Sequence, residues 1–293
     1  MSWYTEYKKS LKMTEIEEFF DLYFYRPLAF LLVKIVYPTK ITPNQLTIIA
    51  IFIGLASGCV YATGLPNACV YGAILFMLYN VFDCSDGMLA RLKKNGSHAG
   101  RIIDGIADYI ATAAVFVGLG IGYPDHTYSH PIWWLLLFLA ALSNVIQSVM
   151  VDYYRNRFLD YVLQRKSTFG ENMDSFREEY HTIKGQKNKW LDRWIIRRYF
   201  DYSAFQKKLT SEKKGEKLFN TTPEEYYKKN KGIARVWVNI GPTAQITAIM
   251  IFSAINRFDI YFWVIIGVFN AIAAIAWIVQ RNIDKSLISS KTH

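Results

Sequence analysis

The sequence predicts an all-α integral membrane protein with six transmembrane helices. Of its 293 residues, 52% are hydrophobic and 16% are aromatic, and the mean hydropathy is +0.09. The 34 basic and 24 acidic residues are segregated, because none of them falls within 41–82, 131–151, 236–256 or 260–280. A bilayer core requires about 20 apolar residues per helix, so these stretches are long enough to span it. This pattern excludes a soluble enzyme, a disordered chain and a secreted disulfide scaffold.

The uncharged stretches divide into six helices. The first stretch is too long for one span, and Gly64-Leu65-Pro66-Asn67 predicts a turn that splits it. The expected helices are 44–63, 68–92, 100–122, 132 to the 150s, 233–255 and 260–280. The chain is therefore expected to comprise an N-terminal segment 1–40, spans one to four in 41–154, an insertion 155–232, spans five and six in 233–282, and a tail 283–293.

The distribution of Lys and Arg predicts the orientation of the spans. The first forty residues carry six of them, 91–101 carries four, 155–235 carries twenty, and the chain after 280 carries three. The other three loops carry only Arg257. By the positive-inside rule, both termini, the turn at 93–99 and the insertion are expected in the cytoplasm.

Two segments outside the spans need an explanation. Residues 15–36 mix acidic and aromatic side chains, which favours an amphipathic helix in the membrane interface, with a disordered tail as the alternative. Residues 155–235 hold 20 basic and 11 acidic residues, and aromatic residues alternate with arginines around 190–200. Because no nucleic-acid recognition motif accompanies them, we expect anionic membrane lipids as the partner and no nucleic acid.

Four aspartates stand where the spans should be apolar, and charges at membrane depth are usually functional. At 100° per residue, Asp83 and Asp86 share a stripe of the second helix, and Asp104 and Asp108 share a stripe of the third. If the chain turns near Gly96, the two helices run antiparallel. The carboxylates then pair at two levels between facing helices.

Four mutually close carboxylates require a cation, since Arg91 and Arg101 are too few to neutralise them. Ligation by oxygen alone favours a hard ion such as Mg²⁺, Mn²⁺ or Ca²⁺. Gly87 and Ala90 would leave room for a ligand against the helix, and the Arg91 guanidinium would offer a forked donor to a phosphate. The pattern indicates metal-assisted displacement at phosphorus on a substrate that enters from the cytoplasm.

The spacing DxxDGxxARx₈GxxxDxxxD, which runs from Asp83 to Asp108, is similar to the signature of the CDP-alcohol phosphotransferases. All eight specified residues and every gap match over 26 positions. The six-helix layout, the interfacial helix and the opening of the first span by Thr42-Pro43-Asn44-Gln45-Leu46-Thr47 also resemble the family. The insertion is longer than the linker typical of the family.

The resemblance implies roles for individual residues. Asp83, Asp86 and Asp104 would ligate metal, and Asp108 would complete a site for two Mg²⁺ or Mn²⁺ ions and act as general base. The acceptor hydroxyl would attack the phosphorus that bears the non-cytidine group, and CMP would leave. The residues implied to bind CDP are Asn44, Asp83, Gly87, Ala90, Arg91 and Gly100.

The family also implies a homodimer that forms through the spans. Small residues on the third helix would permit the close helix packing that such a contact needs. They are Ala107, Ala111, Ala113, Ala114, Gly118 and Gly120.

Three other interpretations of the aspartates were weighed. Salt-bridged helix packing would need basic partners that the spans lack. A cation channel or transporter would not need Gly87, Ala90 and Arg91 at fixed offsets. An aromatic prenyltransferase usually carries its two Asp motifs on well-separated helices and would not need Gly100 four residues before Asp104.

The sequence leaves open which substrate is the lipid. The donor is either CDP-diacylglycerol or a similar CDP-lipid with a polar acceptor, or a soluble CDP-choline, CDP-ethanolamine or CDP-inositol with a lipid acceptor. Arg155, Arg157 and Arg235, near the ends of spans four and five, would suit a phosphorylated acceptor such as inositol phosphate or glycerol phosphate. They favour the CDP-lipid donor, although positive-inside anchoring explains them equally well.

Overall fold

The computed structural model describes residues 3–11, 16–96, 98–122, 127–164, 178, 180–186, 193–194, 196–197 and 221–289. Every regular element in these ranges is helical, and six segments are long and apolar enough to cross a membrane. The prediction of an all-α membrane protein with six spans is confirmed.

Ten α-helices follow one another along the described chain. They are α1 (Trp3–Ser10), α2 (Arg26–Val36), α3 (Pro43–Ala62), α4 (Ala68–Lys93), α5 (His98–Gly122), α6 (His130–Val162), α7 (Pro223–Val238), α8 (Pro242–Ala254), α9 (Phe258–Phe262) and α10 (Asn270–Ser289). Two π-helical stretches, Asp21–Tyr25 and Trp263–Phe269, lead into α2 and α10. The first four spans are α3 to α6, the fifth joins α7 to α8, and the sixth runs from α9 through α10.

The first span begins at a capping box that the sequence encodes locally. The Thr42 hydroxyl accepts a hydrogen bond from the Gln45 amide at 3.3 Å, and the Gln45 side chain accepts one from the Thr42 amide at 2.9 Å. Pro43 occupies the first turn, where its missing N–H costs nothing. The turn expected between the first two spans is also present, with Gly64 and Asn67 at φ of 58° and 65°.

Close contact between α3 and α5 determines how the first three spans pack. A Cβ on Gly58 would lie 2.4 Å from the Ala114 carbonyl oxygen, and one on Gly118 would lie 2.1 Å from the Gly58 carbonyl oxygen. The two backbones therefore touch, which only glycine allows. Ala111 packs in the same way against Gly54. Three of the small residues considered for a dimer contact, Ala111, Ala114 and Gly118, thus pack within the chain.

Spans four and five extend further than the uncharged stretches indicated. Helix α6 continues to Val162, and α7 begins at Pro223, where the Thr222 hydroxyl accepts a hydrogen bond from the Glu225 amide at 3.2 Å. These extensions bury Phe158 and Tyr226 in a small apolar cluster beyond the charge-free stretches. Most of the expected insertion at 155–232, from 165 to 220, lies outside the described residues apart from a few positions.

The segment expected to be an amphipathic interfacial helix is helical from Phe19 to Val36. Its charged residues face the protein, since Glu17, Glu18, Asp21 and Arg26 are all buried. The apolar side chains of the opposite face are exposed, as suits contact with lipid. They are Phe19, Phe20, Tyr23, Phe24, Leu28, Leu31 and Ile35.

Two buried acidic residues of this segment accept hydrogen bonds at the start of α8, where the fifth span is interrupted. The chain leaves the helix before Pro242, and the first turn of α8 has free N–H groups that attract negative charge. A Glu18 carboxylate oxygen accepts a hydrogen bond from the Ala244 amide at 3.0 Å, and Asp21 accepts one from the Thr243 hydroxyl at 3.1 Å. The N-terminal segment is therefore anchored to the helical bundle by polar contacts.

This anchoring predicts a pH-dependent stability. Burial, followed by the neighbouring Asp21 carboxylate, raises the pKa of Glu18 from its ordinary 4.5 to about 8. The folded protein then holds a proton that the unfolded chain releases, so stability present below pH 4.5 is lost as the pH rises to about 8. The Glu18→Gln substitution keeps an oxygen acceptor for the Ala244 amide and removes the titration. We expect a flatter dependence of melting temperature on pH, and a variant more stable than wild type near pH 8.

Thermal unfolding of the detergent-solubilised protein over a pH series measures this effect, which is limited to about 1.4 kcal/mol per pH unit. Glu6→Gln is the control, because Glu6 pairs with Lys34 at the surface and its pKa is lowered by that hydrogen bond. A Glu18→Gln variant with the wild-type slope would contradict the prediction.

Candidate active site

Three aspartates from two antiparallel spans converge inside the bundle. Asp83 and Asp86 lie on α4 and Asp104 lies on α5, after a turn in which Lys94 adopts a φ of 52°. One carboxylate oxygen from each residue lies within 4.8 Å of the other two. The helical spacing predicted this facing arrangement, and the structure brings the three side chains together.

The donor set of this group suits a hard cation. Asp86 is 5% exposed, and the Thr47 hydroxyl of α3 donates a hydrogen bond to it. The Oδ1 atom of Asp83 is buried and has no hydrogen-bond partner. A buried carboxylate oxygen without a donor is costly, and a bound cation would remove that cost. Three carboxylates within reach of one point are also the oxygen ligands that Mg²⁺ and Mn²⁺ prefer.

The fourth aspartate has a different partner. Asp108 lies one turn beyond Asp104 on α5, outside the group of three. The hydroxyl of Tyr79, on α4, donates a hydrogen bond to Asp108 Oδ1 at 2.6 Å. The four aspartates therefore lie in two distinct environments: three cluster together, and the fourth accepts a hydrogen bond from a tyrosine.

The residues implied to bind CDP border the same region of α4. A Cβ on Gly87 would lie 3.4 Å from Arg91 Nη1, so the guanidinium lies over this glycine. The Nε of Arg91 donates to the Ser10 carbonyl at the end of α1, which leaves its terminal nitrogens toward Gly87. Ala90 is half-buried, and a Cβ on Gly96 in the turn would lie 3.5 Å from the Ala90 Cβ.

Two further predicted residues lie at the starts of neighbouring helices. Asn44 is half-buried in the first turn of α3, three residues before the Thr47 that contacts Asp86. Gly100 is half-buried in the first turn of α5, one turn before Asp104. Both positions are at the end of the bundle where α4 turns into α5.

The arginines considered for acceptor binding are engaged in different ways. Arg157 forms an ion pair with Asp284 of α10 at 2.9 Å and contacts the rings of Tyr153 and Tyr154. Arg155 pairs with Asp152, one turn earlier in its own helix. Arg235 is exposed on α7. Two of the three therefore already have carboxylate partners.

Sequence reasoning missed three residues that contact the predicted set. Thr47 and Tyr79 donate to Asp86 and Asp108, and the Ser10 carbonyl accepts from Arg91. A signal was present for Tyr79, because it precedes Asp83 by four residues and so shares its stripe on α4. Contact with Ser10 depends on the folding of the N-terminal segment and leaves no local pattern.

Comparison with known proteins finds a family whose model matches the region that contains the four aspartates. The model of the CDP-alcohol phosphatidyltransferase family matches residues 40–169. The chain is 28% identical over 148 residues to a phosphatidylinositol phosphate synthase of Corynebacterium glutamicum, which covers 50% of this chain and 59% of that protein. It is 34% identical over 117 residues to an archaetidylinositol phosphate synthase of Pyrococcus horikoshii, covering 40% and 55%.

A third relative is a bifunctional IPC transferase and DIPP synthase of Thermococcus kodakarensis. It is 31% identical over 119 residues, which are 41% of this chain and 26% of that protein. In each comparison the similarity covers less than two thirds of the relative's length.

The three clustered carboxylates predict that Asp83→Asn raises the melting temperature without metal and lowers the stabilisation that metal provides. In EDTA, Asp83→Asn should raise the melting temperature, because one of three mutually repelling charges is removed. Mg²⁺ should stabilise the wild type more than the variant, since a ligand that binds only the folded state stabilises it more the tighter it binds at a given concentration.

Thermal unfolding in EDTA and in a Mg²⁺ titration measures both effects. Asp259→Asn is the matched control, because Asp259 is an exposed aspartate paired with Arg257 and should leave the response to Mg²⁺ unchanged. Equal stabilisation of Asp83→Asn and the wild type by Mg²⁺ would contradict the assignment of Asp83 as a ligand.

Proposed function

Residues 40–169 match the model of the CDP-alcohol phosphatidyltransferase family, and on that premise we propose that the protein is a metal-dependent phosphotransferase of phospholipid synthesis. It transfers a substituted phosphate from a CDP-linked donor to the hydroxyl of an alcohol and releases CMP, and one of the two substrates is a lipid. The observation that carries the proposal is the convergence of Asp83, Asp86 and Asp104 at the family motif, inside the spans.

The four aspartates are proposed to hold the metal and to activate the acceptor. Asp83, Asp86 and Asp104 hold Mg²⁺ or Mn²⁺, and Asp108 completes the set for a second ion. Divalent cations held there would supply the positive charge that neutralises the diphosphate and the leaving CMP. The Thr47 hydrogen bond fixes the orientation of Asp86 relative to the other two ligands.

The donor diphosphate is proposed to lie over Gly87. Gly87 has no side chain of its own, and the terminal nitrogens of Arg91 lie over this position, where they could bind a phosphate. Because Ser10 already holds the Nε of Arg91, the guanidinium is oriented before the donor binds. Asn44, Ala90 and Gly100 complete the proposed donor site.

Asp108 is proposed as the general base. It accepts the proton of the acceptor hydroxyl while that oxygen forms a bond to the phosphorus bearing the non-cytidine group. The bond from this phosphorus to the bridging oxygen breaks, and that oxygen leaves with its electron pair as part of CMP. The proton on Asp108 then passes to water.

The names of the relatives support a CDP-lipid donor and a phosphorylated acceptor. Two of them are a phosphatidylinositol phosphate synthase and an archaetidylinositol phosphate synthase. We therefore propose CDP-diacylglycerol or a similar CDP-lipid as the donor, and inositol phosphate or glycerol phosphate as the acceptor. Arg155, Arg157 and Arg235 are the candidate contacts to the acceptor phosphate.

The ion pairs of these arginines favour a second candidate. Arg157 is neutralised by Asp284 and Arg155 by Asp152, which reduces the positive charge available to a phosphorylated acceptor. A soluble CDP-choline, CDP-ethanolamine or CDP-inositol donor with a lipid acceptor would not need that charge. This alternative uses the same chemistry at the same aspartates.

The site is proposed to face the cytoplasm, with both chain termini on that side. This orientation rests on the concentration of basic residues in the segments adjoining the motif, by the positive-inside rule. The exposed apolar surfaces of the spans contact membrane lipids, and a homodimer through the spans is part of the proposal.

Release of CMP by the purified protein tests the function. CDP-diacylglycerol is supplied in one series with inositol phosphate or glycerol phosphate, and CDP-choline, CDP-ethanolamine and CDP-inositol are supplied in another with lipid acceptors. We expect Mg²⁺- or Mn²⁺-dependent CMP in one series only. Asp108→Asn should lower kcat by about 100-fold or more, because a positioned base contributes 10²–10⁴-fold.

The series that yields CMP identifies which substrate is the lipid. Activity that persists in EDTA, or an Asp108→Asn variant as active as wild type, would refute the proposed mechanism. If no pair yields CMP while liposomes containing the protein conduct cations, the aspartates serve transport instead.

A further inference from the structure

Tyr79 makes a contact at the carboxylate site that the family motif does not include. It lies four residues before Asp83 on α4, and its side chain is fully buried. Its hydroxyl crosses to α5 and donates to Asp108 Oδ1 at 2.6 Å. A phenol donor to a carboxylate is a strong, charge-assisted hydrogen bond when both groups are shielded from water.

The Tyr79 ring is held in place on two sides. It stacks on Phe76 with ring centroids 5.5 Å apart and an interplanar angle of 12°. On the α3 side, a Cβ added to Gly54 would lie 3.2 Å from Tyr79 Cδ2, so the backbone of α3 packs against the ring. A ring confined in this way fixes the position of its hydroxyl, and therefore of the oxygen that accepts from it.

The hydrogen bond distinguishes the two oxygens of Asp108. Oδ1 is bound to Tyr79, which leaves Oδ2 as the oxygen open to a further contact. Asp108 also lies outside the group of three carboxylates whose oxygens approach within 4.8 Å of one another. The tyrosine therefore holds one oxygen of Asp108 in a fixed position.

We infer that Tyr79 is a positioning residue, whose hydroxyl holds Asp108 Oδ1 so that Oδ2 faces the acceptor hydroxyl. The inference rests on the proposed function, since it concerns the residue proposed as general base. Tyr79 itself does not touch the substrates; it acts through Asp108. Partners of this kind typically contribute 10–100-fold to activity at metal sites.

Two other buried tyrosines supply matched controls. The hydroxyl of Tyr61 on α3 is bonded to the Ser253 hydroxyl at 2.8 Å, and that of Tyr25 to the Thr247 hydroxyl at 3.0 Å. Neither pair includes one of the four aspartates. Removing either hydroxyl disrupts a buried hydrogen bond of similar length without touching the site.

The test compares Tyr79→Phe with Tyr61→Phe in the CMP assay and in thermal unfolding. Both should lower the melting temperature, but only Tyr79→Phe should lower kcat, by about 10–100-fold. Its KM for the CDP-linked donor should remain that of the wild type, because the residues proposed to bind the donor are untouched.

Two outcomes would overturn the inference. One is a Tyr79→Phe variant with wild-type kcat. The other is an equal loss of kcat in Tyr61→Phe, which would make the effect one of stability.

Melting temperatures of Asp108 variants test the contact without any activity. Asp108→Asn keeps an oxygen acceptor for Tyr79, whereas Asp108→Ala leaves the buried hydroxyl without its partner. We expect Asp108→Ala to melt below Asp108→Asn, and addition of Tyr79→Phe to Asp108→Ala to raise its melting temperature. The reverse order would overturn the contact itself. A wild type that releases no CMP refutes the proposed function, while these melting temperatures still decide whether Tyr79 holds Asp108.

Discussion

Burial of several carboxylates inside an apolar bundle is the constraint on which the rest of this structure depends. Removing such charges from water is costly unless each finds a donor or a cation. The bundle meets this demand from several directions: Thr47 of α3 donates to Asp86, and Tyr79 of α4 donates to Asp108. The remaining buried oxygen, on Asp83, lies where a divalent cation would be the partner.

The N-terminal segment provides a second layer of polar contacts around the same spans. Glu18 and Asp21 bind the start of α8, where the fifth span is interrupted, and the Ser10 carbonyl binds Arg91. Its exposed face is apolar, so the segment presents hydrophobic side chains outward and acids inward. A segment outside the family-matched region thereby positions an arginine of the family motif.

Environment, more than residue type, differentiates the four aspartates. Identical carboxylates can take different roles when their neighbours differ. Three of them share a point in space, and the fourth is held by a phenol one turn away. The difference arises from a helix register that places Tyr79 on the same stripe as Asp83, opposite α5. Under the proposed function, this asymmetry gives Asp108 the role of general base in addition to its place at the second metal ion.

The six spans and the convergence of the aspartates on α4 and α5 could be predicted from the sequence, because both depend on local periodicity and on the length of apolar stretches. The caps at Thr42 and Thr222, where α3 and α7 begin, are likewise local contacts between residues three apart. The pairing of Arg157 with Asp284, the length of α6 and the docking of Glu18 on α8 arise only when the helices pack. These contacts join residues more than a hundred positions apart, or depend on surfaces that exist only after the helices pack. No pattern within a single helix encodes them.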